Sequence, residues 1–408
     1  MIYRTIILNK AWFLLLPFLL FLSSCEKKTS EDGIRNLKAK TPDRTISWVK
    51  KQEISGLKLD HLSMAWNGSS LLFSASEKKV TTDPISGQIM IGISQNKNGS
   101  FTDWRVNNPI KNLFLAGSGS QLLIETEDNR VQFYRDWHDN LNFITLDEKY
   151  EKAVLAPTGK WILAEEVVDK NSATGTITIF TDIGKIAGTV TTPSARMKYL
   201  KYFPFLSHHQ RWLLISEKGE ITYYDGDKLI WRKQLVGNPG LVASSFLEGG
   251  QILFSTDQNP SRLSMFNDLG EVTANAEIEG EVVSLACSKL GGNCAVLSRT
   301  KENQMLSFLT KDLKNIFSYE TNTVPGEKSK VVIADQGKII LAGMKEKSGD
   351  YIYAWNESGM AQWKIKLKEG LRDFVVSWDG KWITVLTKNN QVLFYDNHTK
   401  IQTPPKTK

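Results

Sequence analysis

The sequence is poor in the residues that most often mark a chemical site. Its 408 residues include only 3 Cys and 5 His, which excludes a small protein built on a disulfide framework. It contains no GxSxG, HExxH or P-loop motif, and no GxGxxG between a strand and a helix. We therefore nominate no catalytic, cofactor-binding or metal-binding residue, and we predict a protein that is not an enzyme and has no cofactor.

The chain also lacks a cluster of basic residues. It has 51 Lys and Arg against 44 Asp and Glu, and the basic side chains are scattered among acidic ones. A nucleic-acid partner requires a concentrated basic face, so we exclude that class of partner. With 41% apolar residues the chain can bury a large core, but its length exceeds what one simple core supports. The composition therefore predicts several domains or a repeat.

The first 25 residues have the pattern of a targeting segment. Arg4 and Lys10 precede an apolar run over residues 11–22, which is too short to span a bilayer as a helix. The run ends in Leu22-Ser23-Ser24-Cys25, and the whole is typical of a secretory signal peptide. This ending resembles the lipobox of bacterial lipoproteins, which implies lipidation of Cys25 and cleavage before it. The alternative is an uncleaved anchor or an ordinary signal peptide.

Residues 26–43 are predicted to be a disordered, charged tether because half of them are charged and few are apolar. Glu26 stands where enterobacterial lipoproteins retained at the inner membrane carry Asp. The resemblance therefore implies an outer-membrane lipoprotein of a bacterial envelope, on the periplasmic side. Residues 44–400 form the folded body, and residues 401–408 form a C-terminal tail.

A repeat organises the body. A turn glycine followed by an apolar strand recurs, with successive spacings that average about 45 residues, the length of one four-stranded propeller blade. Trp161, Trp212 and Trp382 share one offset from their anchors. We predict an all-β, eight-bladed propeller of four-stranded antiparallel blades. The anchors are Gly68, Gly119, Gly159, Gln210, Gly249, Gly291, Gly337 and Gly380.

The last repeat lacks a good fourth strand. Residues 44–51, with Trp48 in the place that Trp104, Trp231 and Trp363 hold in other repeats, supply a candidate from the other end of the chain. We expect this strand to pair with residues 391–395 and close the ring, which would leave no open sheet edge at the seam. The competing arrangement uses a weak strand at residues 399–403.

Four repeats share an aromatic third strand, a turn and a fourth strand, most clearly in YIYAWNESGMAQW over residues 351–363. This pattern resembles the PQQ-like (quinoprotein-dehydrogenase-like) propellers. Together with the lipobox, it is similar to the propeller lipoproteins of the outer-membrane β-barrel assembly machinery. WD40-like propellers are the alternative, although no regular Gly-His opening or Trp-Asp ending is present. A quinone- or calcium-dependent enzyme is a further reading, but this chain has no Cys-Cys pair.

Cys287 and Cys294 flank the connection between two strands of one repeat. In an antiparallel hairpin they would face each other, and an oxidising periplasm would permit a disulfide. Two buried thiols are the equal alternative.

The remaining polar candidates favour ordinary structural roles. His208 and His209 are neighbours whose side chains would point to opposite faces of a strand. Residues 136–139 read as an Asp-rich turn. Glu165 and Glu166 alternate faces and form no acid–base pair.

Long connections between strands define the expected working surface. Residues 77–87, 167–175 and 345–350 join second to third strands, and residues 191–197, 236–241 and 321–328 join repeats, so all emerge on one face. We expect this face to bind an envelope protein of unknown identity, with the chain a monomer within that complex. The alternative is a surface-exposed lipoprotein that binds host or environmental macromolecules.

Overall fold

A computed structural model describes residues 37–397 of the chain. Gaps within this range fall at residues 44, 47–49, 54–56, 67, 78–87, 95–99, 107, 140–142, 167–173, 193–196, 203–209, 217, 246–250, 290–291, 323–328 and 335–337. The predicted signal peptide, Cys25, Trp48 and the C-terminal tail lie outside the described residues.

The described strands pair into eight antiparallel sheets, which we number in chain order, and two N-terminal strands add to later sheets. The first four sheets contain β3 (Leu57–Met64), β4 (Ser70–Glu77), β5 (Gln88–Ser94) and β6 (Ser100–Val106); β7 (Ile110–Leu115), β8 (Leu122–Thr126), β9 (Val131–Tyr134) and β10 (Phe143–Thr145); β11 (Tyr150–Leu155), β12 (Trp161–Glu166), β13 (Gly175–Thr181) and β14 (Ile186–Thr192); and β15 (Met197–Tyr202), β16 (Arg211–Ser216), β17 (Glu220–Asp225) and β18 (Lys228–Gln234).

Sheets 5 to 8 repeat this order. They contain β19 (Pro239–Ser244), β20 (Ile252–Thr256), β21 (Ser261–Phe266) and β22 (Val272–Ile278); β23 (Glu281–Cys287), β24 (Cys294–Arg299), β25 (Asn303–Leu309) and β26 (Asn315–Asn322), extended by β1 (Leu37–Lys38); β27 (Lys330–Ala334), β28 (Ile339–Glu346), β29 (Gly349–Asn356) and β30 (Ala361–Leu367); and β31 (Leu371–Val376), β32 (Trp382–Thr387) and β33 (Gln391–Asp396), completed by β2 (Lys50–Glu53).

Burial along each sheet follows from the residues. Second strands are rich in apolar residues, and all five residues of β8 and of β20 are buried, as expected for a strand covered on both faces. Fourth strands are more exposed, and in β18 only Trp231 is buried. Each sheet is therefore a blade whose second strand is interior and whose fourth strand faces solvent.

Adjacent sheets share their cores. Eight apolar clusters each join two sheets, for example Leu163 and Ile177 of sheet 3 with Trp212 of sheet 4. The cluster that contains Leu71 of sheet 1 also contains Leu386 of sheet 8. Within the described part of the chain the sheets thus follow one another around a closed ring, an all-β propeller of four-stranded antiparallel blades.

The predicted anchor glycines are the turns between first and second strands. Gly68, Gly119, Gly159 and Gly380 all have positive φ, between 69° and 84°, a conformation that glycine adopts without strain. Gly249, Gly291 and Gly337 lie outside the described residues.

These turns also join neighbouring sheets through the backbone. The Trp66 amide donates to the Gly117 carbonyl at 3.0 Å, and the Gly117 amide donates to the Pro157 carbonyl at 2.7 Å. The Trp378 amide in turn donates to the Trp66 carbonyl, so one chain of hydrogen bonds runs from sheet 8 through sheets 1 and 2 to sheet 3.

The N-terminal strand pairs where the sequence predicted. β2 is antiparallel to β33, with Lys50 opposite Phe394 and Glu53 opposite Gln391. The strand lies a few residues later than the expected 44–51. Just before it, Thr45 bridges to Lys364 and Ile46 is buried against sheet 7, so burial of Ile46 moves the start of pairing toward Lys50.

The predicted tether is too long at its C-terminal end. β1 pairs in parallel with β26, with Leu37 opposite Phe317, and the Trp355 Nε1–H donates to the Lys40 carbonyl at 3.1 Å. Residues 37–43 therefore lie on sheets 6 and 7. Local composition could not reveal this, because the partners of Leu37 and Lys40 are 280 and 315 residues away. Across the described residues, no helix is long and apolar enough to cross a membrane.

Candidate protein-binding face

The strand order gives the ring two different ends. We call the end that carries the connections between second and third strands and between consecutive sheets the loop face. We call the end that carries the turns between first and second and between third and fourth strands the hairpin face. All six connections singled out in the sequence belong to the loop face. Most of residues 77–87, 167–175, 191–197 and 321–328 lie outside the described residues.

The two connections that are largely described are shorter than predicted. In sheet 7, β28 and β29 stay paired as far as Glu346 and Gly349, so the expected loop 345–350 is a two-residue turn. Pro239 already begins β19, which leaves Val236 as an exposed residue at the edge of the connection, 73% accessible. The strands extend into both predicted loops because residues there pair with the neighbouring strand, Glu346 with Gly349 and Pro239 with Thr256.

A polar cluster supports the sheet 7 hairpin. The Tyr353 hydroxyl donates to Glu346 Oε1 at 2.7 Å, and burial together with this hydrogen bond raises the pKa of Tyr353. Tyr319 lies 5.4 Å from Tyr353 between ring centroids, and burial raises its pKa as well. Both phenols therefore stay neutral at physiological pH and act as hydrogen-bonding groups.

Short turns on the loop face follow a pattern that the sequence interpretation missed. Thr126, Ser216 and Thr387 each begin a four-residue turn whose last residue has positive φ: Asn129, Gly219 and Asn390. The Thr387 hydroxyl accepts the Gln391 amide at 2.9 Å, and the Ser216 hydroxyl accepts the Glu220 amide at 3.0 Å. The shared turn is visible in the sequence as a Thr or Ser followed four or five residues later by a strand that ends in aromatic residues, in the segments TEDNRVQFY, SEKGEITYY and TKNNQVLFY.

The first strands line the centre of the ring and are irregular at the same position. A bulge interrupts their pairing in sheets 1, 2, 3, 4, 5, 6 and 8, near the loop face. A bulge frees backbone groups from the ladder and redirects side chains. In sheets 2 and 8 the extra residues are Lys111 and Arg372.

Polar side chains near these bulges accept hydrogen bonds from backbone amides of the next sheet. Glu125, only 2% accessible, accepts hydrogen bonds from the Asn112 side-chain amide and from the Ala153 backbone amide of the next sheet. Ser284 likewise accepts the Val331 amide of the next sheet at 3.0 Å. These groups hold adjacent sheets together, and their hydrogen bonds are structural.

Two ion pairs lie at the mouth of the central channel on the loop face. Arg372 Nη2 is 2.7 Å from Asp60 Oδ1, and Lys330 Nζ is 2.7 Å from Asp373 Oδ1. Together with Ser284 they line a pocket of about 400 Å³. Because each cation is paired with a carboxylate, the mouth is a mixed-charge surface.

The predicted cysteine pair is brought together. Cys287 and Cys294 are directly opposite each other on β23 and β24, and the structure places their sulfur atoms as a disulfide, with Cα atoms 4.2 Å apart. Oxidation of the pair in the mature protein stays a prediction.

The other polar candidates have separate environments. His138 Nδ1 contacts Asp136 Oδ1 at 2.6 Å within the predicted turn. Glu165 is buried, whereas Glu166 pairs with Lys149 at 3.1 Å. Among the residues that the structure describes, no three His, Cys, Asp or Glu side chains are grouped to hold a metal ion. His208 and His209 lie outside those residues.

Comparisons with known proteins support the fold alone. No family model and no curated protein matches the chain. Among solved structures, BamB from Moraxella catarrhalis is similar with a TM-score of 0.54 and 13% identity, covering 86% of this chain and 99% of that one. Sqt1 from Chaetomium thermophilum, bound to the N-terminus of the ribosomal protein L10, has a TM-score of 0.61 and 13% identity over 86% and 99% of the two chains. The Dos1 propeller has a TM-score of 0.61 and 12% identity over 89% and 96%.

Proposed function

We propose that this chain is a non-catalytic scaffold of the bacterial envelope, anchored to lipid through Cys25, that binds a protein partner with its loop face. In this proposal the eight sheets are the blades of one eight-bladed ring. The outer membrane, on its periplasmic side, is the proposed location, and its support is the resemblance of Leu22-Ser23-Ser24-Cys25 to a lipobox.

One observation carries the binding role. The chain folds as a propeller similar to Sqt1, which was solved with a protein segment bound. The polar groups at the centre of this ring are used between sheets, as Glu125 and Ser284 show. Loops on a rigid frame are the usual place for recognition, so the loop face is the best surface for a partner.

Site-specific photocrosslinking in intact cells tests this proposal. A photoreactive residue at Lys347, exposed in the turn between β28 and β29, should give a discrete crosslinked product with an envelope protein. The matched control is Lys185, an exposed lysine on the hairpin face, which should give no such product.

Two outcomes would contradict the proposal. Crosslinked products of equal yield at Lys347 and Lys185 would show that the partner does not prefer the loop face. The absence of a product both at Lys347 and at a second loop-face site, Lys218, would show that the loop face binds no protein partner. Protease treatment of intact cells then tests the location, since a periplasmic protein should survive it.

A further inference from the structure

The exposed large apolar side chains of the described residues are concentrated at one end of the ring. Nine such side chains are exposed, and eight of them lie in, or directly after, the turns between third and fourth strands, on the hairpin face. The ninth, Val236, lies on the loop face. The eight are Phe143, Ile183, Ile186, Leu229, Ile230, Leu269, Val272 and Met360, which we call the apolar arc.

Single exposed apolar residues are normal on a protein surface, but the arc is grouped. Seven of its members come from sheets 2, 3, 4 and 5, which are consecutive in the ring, and Met360 comes from sheet 7. Exposed apolar residues that gather on one side of a protein point to an interaction site. The arc is therefore one feature of the hairpin face, distinct from the polar channel mouth on the loop face.

The turns that carry the arc are held in fixed conformations. Asn267 Oδ1 accepts the amides of Leu269 and Glu271 at 3.0 and 2.9 Å, and Asn356 Oδ1 accepts the Met360 amide at 2.9 Å. These bonds keep Leu269 and Met360 at the tips, where they are 66% and 62% accessible. The arc is consequently presented to solvent without any rearrangement of the sheets.

Neighbouring turns are also tied to each other. The Arg135 guanidinium of sheet 2 donates to the Asp182 and Ile183 carbonyls of sheet 3 at 3.2 and 3.3 Å. The Trp231 Nε1–H of sheet 4 donates to the Asp268 carbonyl of sheet 5 at 2.9 Å. Sheets 2 and 3, and likewise sheets 4 and 5, are therefore linked at the turns that carry the arc.

The chain enters the propeller at the same end. β1 is parallel to β26, with Leu37 opposite Phe317, and β26 begins at Asn315, directly after a turn of the hairpin face. A parallel strand starts at the same end as its partner, so β1 begins at the hairpin-face end of sheet 6. Eleven residues separate Cys25 from Leu37, and they span at most about 40 Å when fully extended.

We propose that the hairpin face rests on a membrane surface, with the apolar arc inserted at the level of the lipid headgroups. The proposal rests on the lipid anchor at Cys25, which would hold the arc at high local concentration beside the bilayer, so that weak insertion suffices. The turns carry charges of both signs, for example Asp182 with Lys185 and Asp227 with Lys228. Apolar contact with lipid, more than attraction to anionic headgroups, is the expected interaction, and the loop face points away from the membrane.

Depth-dependent fluorescence quenching tests the orientation. The full-length lipidated protein is reconstituted in phosphatidylcholine vesicles that contain nitroxide-labelled lipid, with one fluorophore attached at Leu269→Cys. The matched control carries the fluorophore at Lys301→Cys, an exposed turn position on the loop face. Labelling is selective because Cys287 and Cys294 are buried.

We expect quenching at position 269 to be several-fold stronger than at position 301, and quenching at Met360→Cys to resemble position 269. Equal quenching at 269 and 301, or none at 269, overturns the proposal. If the arc binds a protein partner instead of lipid, the fluorophore at position 269 will also show no quenching. In a second variant, Ile183→Ser with Ile186→Ser and Val272→Ser should reduce quenching at 269 without releasing the protein from the vesicles.

Membrane fractionation of the Cys25→Ala variant keeps the two proposals distinguishable. Loss of that variant from the membrane fraction supports the anchor and says nothing of orientation. If the variant stays in the membrane fraction, the anchor proposal fails, whereas a difference in quenching between positions 269 and 301 still supports contact of the hairpin face with lipid.

Discussion

Two tryptophan side chains pack directly against glycine residues of a neighbouring sheet. Trp137 is completely buried and donates its Nε1–H to the Gly119 carbonyl at 2.7 Å. Its ring lies against Gly92 of the neighbouring sheet, where a Cβ atom would overlap ring carbons. Trp66 occupies the same kind of space over Gly117. At this scale, the fit of one sheet to the next depends on glycine.

We predict that Gly92→Ala lowers the free energy of unfolding by about 1–3 kcal/mol, because the added methyl group forces Trp137 out of its packed position. Urea unfolding followed by tryptophan fluorescence measures the change. The control is Gly188→Ala. Its added Cβ would lie 3.2 Å from the Cβ of Asp227, and Asp227 belongs to a turn that can shift to make room. A loss of stability in the control as large as at Gly92 would contradict the explanation.

The sequence showed part of this arrangement. Residues 136–139 were interpreted as a turn, and the Asp136–His138 contact agrees with a turn. The burial of Trp137 was not predictable, because Gly92 belongs to another sheet and nothing in the local pattern links the two positions.

At the scale of the strands, the first and second strands of sheet 6 are joined by a short connection with a cysteine at each end. Cys287 ends β23 and Cys294 begins β24. Both side chains are buried in the core that sheet 6 shares with sheet 5. A bond here would close a loop of eight residues and constrain the unfolded chain.

We predict that the mature protein gains the mass of two hydrogen atoms on reduction under denaturing conditions, measured on the intact chain. Cys287→Ala with Cys294→Ala should lower the free energy of unfolding by about 2–3 kcal/mol, the value expected for closure of a short loop. An unchanged mass would show that the pair is two buried thiols, the alternative that the sequence left open.

The strands themselves were more predictable than their connections. Short apolar runs, such as those that open β8 and β20, identify interior strands, and turn glycines such as Gly119 mark where they begin. The loop 345–350 was predicted too long because β28 and β29 extend their pairing to Glu346 and Gly349. The stability that a hairpin gains from additional hydrogen bonds cannot be inferred from the amino-acid composition of its loop.

For the molecule as a whole, an N-terminal segment and the last described strand pair in one sheet. β2 completes sheet 8 next to β33, and the cluster that joins sheet 8 to sheet 1 contains Leu59 and Val392. The segment before β2 crosses sheets 6 and 7, where Ile46 is buried. Closure of the ring therefore depends on a segment that precedes the first complete sheet.

We predict that deletion of residues 26–53 lowers the free energy of unfolding by at least about 3 kcal/mol, since it removes buried Ile46 as well as the β2 ladder. Deletion of residues 26–36 is the matched control and should leave stability nearly unchanged. Urea unfolding of the detergent-extracted proteins measures both. Equal stability of the two deletion variants would mean that the N-terminal strand contributes nothing to closure.

The sequence by itself determined the repeat, the strand-rich class and the pairing of an N-terminal segment with residues 391–395. These follow from short-range patterns, namely turn glycines, apolar strands of regular spacing and a missing strand at the end. Only the tertiary structure decided the position of residues 37–43 on sheets 6 and 7, the burial of Trp137 against Gly92 and the grouping of the apolar arc on one face. Each of these depends on which distant residues the closed ring brings side by side, and a repeat spacing alone does not encode those neighbours.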